Sequence, residues 1–381
     1  MNAYSLACNL IAVIQNLKSK ISMRVIIAAG GTGGHIYPGV AIAHEFKRRD
    51  PDTEILFVGT PRGLESKIVP REGFKLEMIR VGALKGVSLF EKTKSLGQLP
   101  MSFVAAARIL RQFRPDVVIG VGGYSSGPTL MMASVMRYPT MIVEPNAMPG
   151  FTNRRLARFV DAAALTFEDA QKYFAGRAVV TGNPVRGDFA HIKKKERGDK
   201  LHVLIFGGSQ GANAINVAVV GALPLLAAKK DQLVITHQTG ERDFEMVKRG
   251  YEESGFEGAD VRPFIHDMAR LFEQADVLIC RAGATTAAEV AAAGKAAIFI
   301  PFPFAADDHQ RKNASAFLRV GAGRLIVQHD LTPQRLAEEL IGLIENPGEI
   351  DRMEEASRKL GRTDSAERTV DIAMKIASGR R

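Results

Sequence analysis

Apolar residues in this chain recur in short unbroken runs rich in valine and isoleucine, not in long stripes. Val25-Ile26-Ile27-Ala28-Ala29 is the first of them. A run of that length without polar alternation reads as a strand buried on both faces, the kind that parallel sheets contain. It enters Gly30-Gly31-Thr32-Gly33-Gly34-His35, with Pro38-Gly39 beyond, and from Val40 to Arg49 apolar and charged residues mix at helical spacing. The expected unit is a strand, a glycine turn reaching Gly39 and a helix from Val40. A looser copy stands near mid-chain: Val203 to Phe206, then Gly207-Gly208-Ser209-Gln210-Gly211, then a helical pattern from Ala212 to about Leu226.

Further runs fall at Glu54 to Gly59, Asp116 to Val121 and Thr140 to Val143 in the first half. In the second they fall at 202–206, 233–237, around Val261, 277–280, 297–301 and 323–327, with helical patterns between. Such alternation builds doubly wound parallel sheets, so the fold class is α/β, and 381 residues suit two domains better than one core. The simplest arrangement is two Rossmann-like domains facing a central cleft, each offering it a glycine turn. Thr181-Gly182-Asn183-Pro184-Val185-Arg186 reads as a linker, which sets a first domain at 23–186 and a second at 187–361. The helical pattern from Asp364 to Ser378 forms a terminal segment, 362–381, expected to pack back on the first domain. Residues 1–22 form an extension. Its apolar part, Leu6 to Ile14, is too short to span a bilayer, and its lysines follow that part where a secretion signal has them precede. An upstream start or a disordered tail explains it, with a membrane-surface helix as the sharper alternative.

A net charge of +10 invites a nucleic-acid partner, but the chain has no Trp, only 6 Tyr and no interleaving of bases with aromatics, so no nucleic acid is expected. An anionic membrane surface or a phosphorylated substrate accounts for the excess. Leu84 to Arg114 mixes apolar residues with Lys85, Lys92, Lys94, Arg108, Arg111 and Arg114. It reads as a pair of amphipathic helices with solvated faces, or as an apolar patch with a cationic rim. Cys8 and Cys280 allow neither a disulfide framework nor zinc spacing, and Cys280 sits in an apolar run as a core thiol. The one Asp-x-Asp, Asp50-Pro51-Asp52, precedes a strand, at the wrong edge of the sheet for a ligand, so neither metal nor cofactor is expected.

The glycine turns carry the chemistry. Glycine lets backbone approach a ligand or take positive φ, and a helix opening behind it aims unpaired N–H groups at whatever binds. A nicotinamide-binding domain is disfavoured, because Ile36 stands where a third glycine belongs and Gly59-Thr60 where the second strand should end in an acid. No glycine turn is followed by Lys-Ser or Lys-Thr, which excludes a P-loop. A third turn, Gly122-Gly123-Tyr124-Ser125-Ser126-Gly127-Pro128, follows the Asp116 strand, and the Thr140 strand delivers Glu144-Pro145-Asn146 to the same edge. Arg281 to Glu289 sets a small-residue turn, two hydroxyls and a carboxylate at the start of a helix, and Asp307-Asp308-His309-Gln310 opens another. A carboxylate at Glu289 suits two vicinal ribose hydroxyls, or mere compensation of a helix N-terminus; Asp307 and Asp308 are explained as N-caps.

Taken in order, Gly30 to His35 with Pro38-Gly39, Gly122 to Pro128, Gly182 to Arg186, Gly207 to Ala212 and Arg281 to Glu289 resemble the MurG family of GT-B glycosyltransferases, family 28. The resemblance runs from about Met23 to the C-terminus. That family adds N-acetylglucosamine to undecaprenyl-pyrophosphoryl-N-acetylmuramoyl-pentapeptide, turning lipid I into lipid II of peptidoglycan synthesis. The resemblance therefore implies a GT-B fold, UDP-N-acetylglucosamine as donor and lipid I as acceptor. It also implies a peripheral place on the cytoplasmic face of the cell membrane, where Leu84 to Arg114 would dock, with other cell-wall synthesis proteins as further partners. Donor binding falls mostly to the second domain. Ser209 and Arg186 would meet the pyrophosphate, and Ile265 would present backbone to the uracil. Ala284, Thr285, Thr286, Ala287 and Ala288 would line the phosphate and ribose pocket, and Glu289 would take the ribose hydroxyls. Gln310, Asn146 and the Thr32-Gly33-Gly34 turn would contact the sugar, with Tyr124 and Ser125 on the acceptor side.

The implied reaction is attack by the 4-hydroxyl of the muramoyl sugar on C1 of N-acetylglucosamine, with inversion to a β-1,4 bond. A general base must take the hydroxyl proton, and imidazole has the right ordinary pKa. His35 is one candidate, and it suits equally well a residue that orients the turn or binds the acceptor pyrophosphate. Glu144 is the second. The family has His before that Glu and Gln after it, where this chain has Val143 and Pro145. Rival readings are a GT-B transferase for another nucleotide sugar or glycolipid, a nucleotide-sugar epimerase of the same architecture, and a non-catalytic nucleotide-sugar sensor.

Overall fold

The computed structural model of the protein describes residues 22–61, 63–81, 89–146, 148–208, 210–305 and 308–379, with backbone alone over 89–99. A seven-stranded sheet contains β1 (Arg24–Ala29), β2 (Glu54–Gly59), β3 (Lys75–Met78), β4 (Val117–Gly122), β5 (Thr140–Glu144), β6 (Ala162–Leu165) and β7 (Ala178–Val180), in the order β3-β2-β1-β4-β5-β6-β7. A six-stranded sheet contains β8 (Leu201–Phe206), β9 (Leu233–Gln238), β10 (Asp260–Arg262), β11 (Val277–Cys280), β12 (Ala296–Phe299) and β13 (Gly323–Leu325), in the order β10-β9-β8-β11-β12-β13.

The apolar runs become the central strands. β1 lies in parallel between β2 and β4, with Ile26 opposite Leu56 on one side and Val118 on the other. β8 lies in parallel between β9 and β11, with Leu204 opposite Thr236 and Leu278. Strand alternation sends Val203 and Ile205 into one buried cluster and Leu204 and Phe206 into another on the opposite face, as a sheet covered on both sides requires. In each sheet the order reverses next to the strand that carries the glycine turn, between β1 and β4 and between β8 and β11. Connections there diverge to opposite faces and leave a crevice beyond the carboxyl ends.

Several elements depart from the sequence-based expectations. The first helix, α1 (Gly33–Arg49), opens seven residues before Val40, so Gly33, Gly34 and His35 are its first turn and Pro38 lies inside it. Only Gly31, at φ +91°, needs a conformation that side chains resist. The α-helix after the second glycine turn, Asn213–Ala222, stops short of Leu226 and passes into a 3₁₀ helix, Leu223–Gln232, with Pro near its start. In place of a pair of helices after Leu84 there is one, α2 (Leu89–Phe113), with Pro100 inside it; residues 82–88 lie outside the described set. β3 and β7 form the two edges of their sheet and are partly exposed, so they need no apolar run. β6 is three alanines and a leucine, a composition with little strand preference.

Contacts divide the chain into two compact units. Of the described residues, the first takes those up to Val143, Phe151–Ala164 and those from Glu367 on; the second takes those within Glu144–Gly150 and Leu165–Ala366. The C-terminal helix, Ser365–Ser378, adds Val370, Ala373 and Ala377 to the core that Val25, Ile27, Val40 and Phe46 build. Arg49, in the last turn of α1, donates to Asp371 at 2.6 Å and to the Glu367 carbonyl at 2.9 Å, so cations that suit the helix C-terminus also fasten this segment.

Candidate active site

In the first unit the turn after β1 is held from beneath by a residue that sequence reading passed over. Glu65, fully buried, accepts from the Gly31 N–H at 2.9 Å through Oε2, and from the Thr60 N–H at 2.7 Å and its hydroxyl at 2.9 Å through Oε1. The Leu64 N–H donates to the Gly31 carbonyl at 3.2 Å, so both backbone groups of Gly31 are bound to the turn after β2. A Cβ at Gly30 would lie 2.7 Å from the Glu65 carboxylate, one at Gly59 would lie 2.5 Å from its Cγ, and one at Gly63 would overlap the carboxylate, which explains three glycines around one acid. Nothing but a glutamate in an unremarkable stretch marks Glu65 in the sequence. Glu65→Ala is expected to strand two amides and a hydroxyl; at about 1–3 kcal/mol for each unmet group, urea unfolding should show a loss of about 3 kcal/mol or more.

His35 is the third residue of α1, and its N–H donates to the Thr32 carbonyl at 3.1 Å. Its ring lies against Gly122, at φ +127°, where an added Cβ would come within 2.6 Å of Nδ1. Gly123 is packed as tightly, since its Cβ would meet the Gly30 carbonyl oxygen. The two turns at the β1/β4 switch thus interlock backbone to backbone. Thr32 stands at the N-cap and Gly33 and Gly34 just behind it, where helix amides point outward. Tyr124 is exposed, whereas Ser125 is fully buried and its carbonyl accepts from the Thr129 hydroxyl at 2.8 Å.

Glu144 and Asn146 belong to the second unit and hold each other. The buried Glu144 carboxylate accepts from the Asn146 N–H at 2.9 Å, the Asn146 Nδ2 at 3.1 Å and the Gly150 N–H at 3.1 Å. Its visible task is to shape the loop from 144 to 150.

At the β8/β11 switch, Gly208 and Gly211 take φ of +100° and +75°. Ser209 lies outside the described residues. Three loops meet here. A Cβ on Gly211 would strike the Thr239 carbonyl and one on Gly240 the Gln210 carbonyl, while the Gly240 N–H donates to the Pro263 carbonyl at 3.1 Å. The Ile265 N–H donates to Gln238 Oε1 at 2.8 Å, which leaves the carbonyl as the backbone group of Ile265 suited to a base edge.

Glu289 sits in the helix α3 (Ala284–Ala293), whose N-cap is Gly283 and whose first turn carries Ala284, Thr285 and Thr286, with Ala287 and Ala288 just behind. A helix opening of this kind suits an anion. Glu289 is buried, and Arg186 Nη2 donates to its Oε1 at 3.2 Å. Burial pushes the Glu289 pKa above the usual carboxylate range, against the pull of Arg186. The Arg186 guanidinium also lies 4.7 Å from the Phe189 ring centroid, so it is held by a stacking face as well as by the acid. These two residues, more than a hundred positions apart in the chain, are brought together. Gln310 Oε1 accepts from the Phe302 N–H at 2.9 Å, which turns its amide nitrogen to other partners. Asn313, another residue without a sequence signal, donates to the Ala282 carbonyl at 3.0 Å and holds the turn before α3.

Arg281 is structural: Nη1 donates to the carbonyls of Ile300 and Pro301 and Nη2 to Gln328, and burial pulls its pKa down to about 10. Cys280 is a buried thiol whose pKa burial pushes up. The N-cap reading of Asp308 needs correction. Asp308 does occupy the N-cap of the helix His309–Arg319, in left-handed conformation at φ 54°, yet its side chain makes no cap bond and pairs with Arg311 at 2.7 Å. Asp307 lies outside the described residues.

The glycosyltransferase family 28 N-terminal domain matches residues 25–165, and the C-terminal domain of the same family matches 202–369. A UDP-N-acetylglucosamine--N-acetylmuramyl-(pentapeptide) pyrophosphoryl-undecaprenol N-acetylglucosamine transferase of Geotalea uraniireducens is 47% identical over 92% of this chain and 97% of its own. Its namesake in Syntrophus aciditrophicus is 49% identical over 93% and 99%. The crystal structure of Acinetobacter baumannii MurG superposes with a TM-score of 0.73 at 31% identity, covering 93% of this chain and 99% of that one. A UDP-GlcNAc 2-epimerase of Neisseria meningitidis bound to UDP-GlcNAc, at TM-score 0.66 and 16% identity, shares the fold alone. The chain belongs to glycosyltransferase family 28.

Proposed function

We infer that the chain moves N-acetylglucosamine from UDP-N-acetylglucosamine to the 4-hydroxyl of the muramoyl sugar in undecaprenyl-pyrophosphoryl-muramoyl-pentapeptide, with inversion. It is an N-acetylglucosaminyltransferase of peptidoglycan synthesis. The observation that carries this is near-half identity, along almost the full length, to transferases that bear that name. Residues 187–361, within the second unit, serve as the donor domain, and the first unit serves as the acceptor domain.

The roles follow from chemistry. As the bond from C1 to the departing oxygen breaks, its electron pair moves onto the β-phosphate of UDP. The amides opening α3, the Gly207 to Gly211 turn with Ser209, and the Arg186 cation supply positive character where that charge appears. Glu289 accepts from the ribose hydroxyls. Asn146, Gln310 and the Thr32-Gly33-Gly34 turn hold the sugar, with Tyr124 and Ser125 towards the acceptor. The acceptor hydroxyl gives its proton to His35 as its oxygen bonds to C1. The test is transfer to a lipid I analogue from UDP-GlcNAc, UDP-GalNAc and UDP-glucose in parallel, with linkage analysis of the product. A β-1,4-linked product formed at least about tenfold faster from UDP-GlcNAc is expected; equal turnover of all three would overturn the donor assignment.

The enzyme works as a peripheral protein on the cytoplasmic face of the membrane. Among the described residues no helix is long and apolar enough to cross a bilayer. On α2, Met101 and Val104 are 65% and 70% exposed, and Arg108 and Arg111, also exposed, continue the same face at helical spacing. An apolar stripe running into cations suits anionic headgroups. Sedimentation with phosphatidylglycerol vesicles should carry the protein down, phosphatidylcholine vesicles should not, and Val104→Asp should halve the bound fraction or worse. Equal binding to both lipids would remove the electrostatic part of this reading.

A further inference from the structure

Gln238 closes β9, is 2% exposed, and ends on two loops at once. Its Oε1 accepts from the Ile265 N–H at 2.8 Å and its Nε2 donates to the Gly208 carbonyl at 2.9 Å. The amide orientation is dictated by the partners, since the reverse would set NH₂ against N–H and oxygen against oxygen. The strand end itself is fastened from the other face, where the neighbouring His237 meets Asn216 Oδ1 at 3.0 Å and the Tyr251 hydroxyl at 3.2 Å. Backbone bonds from Thr239 N–H to the Arg262 carbonyl and from Gly240 N–H to the Pro263 carbonyl add to the junction. One buried amide therefore spans from the Gly207 to Gly211 turn to the loop that carries Ile265.

We propose that Gln238 is a positioning residue that sets the distance between the diphosphate-binding turn and the backbone that reads the base. This rests on the donor reading given above, in which that turn meets the pyrophosphate and Ile265 the uracil. A ligand that reaches both ends gains from having them at a fixed separation, because the second contact is then intramolecular. A fragment that reaches only one end gains nothing. Losing Gln238 should therefore weaken UDP out of proportion to its parts, a pattern that general damage to the site would not produce.

The experiment measures UDP affinity by calorimetry, and inhibition by uridine alone and by pyrophosphate alone in competition with UDP-GlcNAc. These are compared in the full-length parent, Gln238→Leu and Gln238→Glu. The Leu variant is expected to bind UDP about tenfold or more weakly, with uridine and pyrophosphate each within about twofold of the parent. The Glu variant keeps the acceptor for the Ile265 N–H and loses the donor to Gly208. It is expected to weaken UDP at least as much while amide exchange at Ile265 stays slow. UDP affinity unchanged in the Leu variant, or all three ligands weakened alike, overturns the proposal. Should the Leu variant fail to fold by circular dichroism, the Glu variant decides: unchanged UDP affinity overturns the proposal and a tenfold loss upholds it. A parent that binds no UDP overturns the donor reading and this inference with it, an outcome distinct from a parent that binds UDP and variants that bind it equally.

Discussion

Glu289→Gln is expected to fold normally and to bind UDP-N-acetylglucosamine about 10- to 100-fold more weakly than the parent. Folding survives because the glutamine carbonyl can still accept from Arg186 Nη2, now at 3.2 Å from the carboxylate oxygen, so no cation is stranded. The loss in binding comes from charge. A ribose diol offers two O–H donors to a carboxylate that accepts both, while glutamine offers one acceptor and one donor, and hydrogen bonds to a charged group contribute about 1.5–3 kcal/mol. The pH dependence of stability gives an independent check. Burial raises the folded-state pKa of Glu289 above its ordinary 4.5. Stability from this group is therefore full below 4.5, where both states are protonated, and is lost as pH rises through the folded value. Removing the ionisable group removes that loss. The variant's unfolding midpoint, set against the parent's, should improve from pH 4 to pH 8, the reverse of what loss of a favourable ion pair would do. Unchanged calorimetric affinity for UDP-N-acetylglucosamine would assign Glu289 to helix electrostatics alone.

The parts of the fold legible in the sequence are those where burial on both faces forces an uninterrupted apolar run. β1, β4, β8 and β11 are such strands, and each delivers a turn or a helix opening to its switch point. Legibility fails where context overrides composition. β3 and β7 are edges that tolerate Lys75 and Glu77 or a three-residue span, and β6 is mostly alanine. The glycines after β1 misled in an instructive way. All four read as turn residues in the sequence, yet Gly33 and Gly34 are the first turn of α1 and do not bend the chain. Glu65 and Gln238 were invisible for another reason. Each acts by meeting backbone groups of other loops, Gly31 and Thr60 for one and Gly208 and Ile265 for the other, and a backbone partner leaves no residue type to recognise at a distance in sequence. In the sequence Arg186 and Glu289 each read as a ligand residue on its own, and their pairing is what the fold adds.

His35→Gln should lower kcat by about 100- to 10,000-fold and leave UDP affinity within about twofold, the range that removal of a general base produces. The two candidates differ in their surroundings. A base must offer a lone pair to the incoming hydroxyl, and the Glu144 carboxylate already accepts three N–H bonds from Asn146 and Gly150 within its own loop. His35 instead has its ring set by the wall at Gly122, at the mouth of a turn whose backbone Glu65 and Leu64 hold rigid. A base is active only when deprotonated, so kcat/KM of the parent should show an acid limb, and His35→Gln should lack that limb. Glu144→Gln should keep the limb and raise KM, because one of its loop bonds turns from acceptor to donor and the 144–150 loop shifts. If His35 binds the acceptor pyrophosphate instead, its variant will show a raised lipid I KM with kcat intact at saturation. If Glu144→Gln abolishes both kcat and the acid limb while His35→Gln keeps them, the proton passes to the carboxylate, and three amide bonds would then be the means by which the loop aims it.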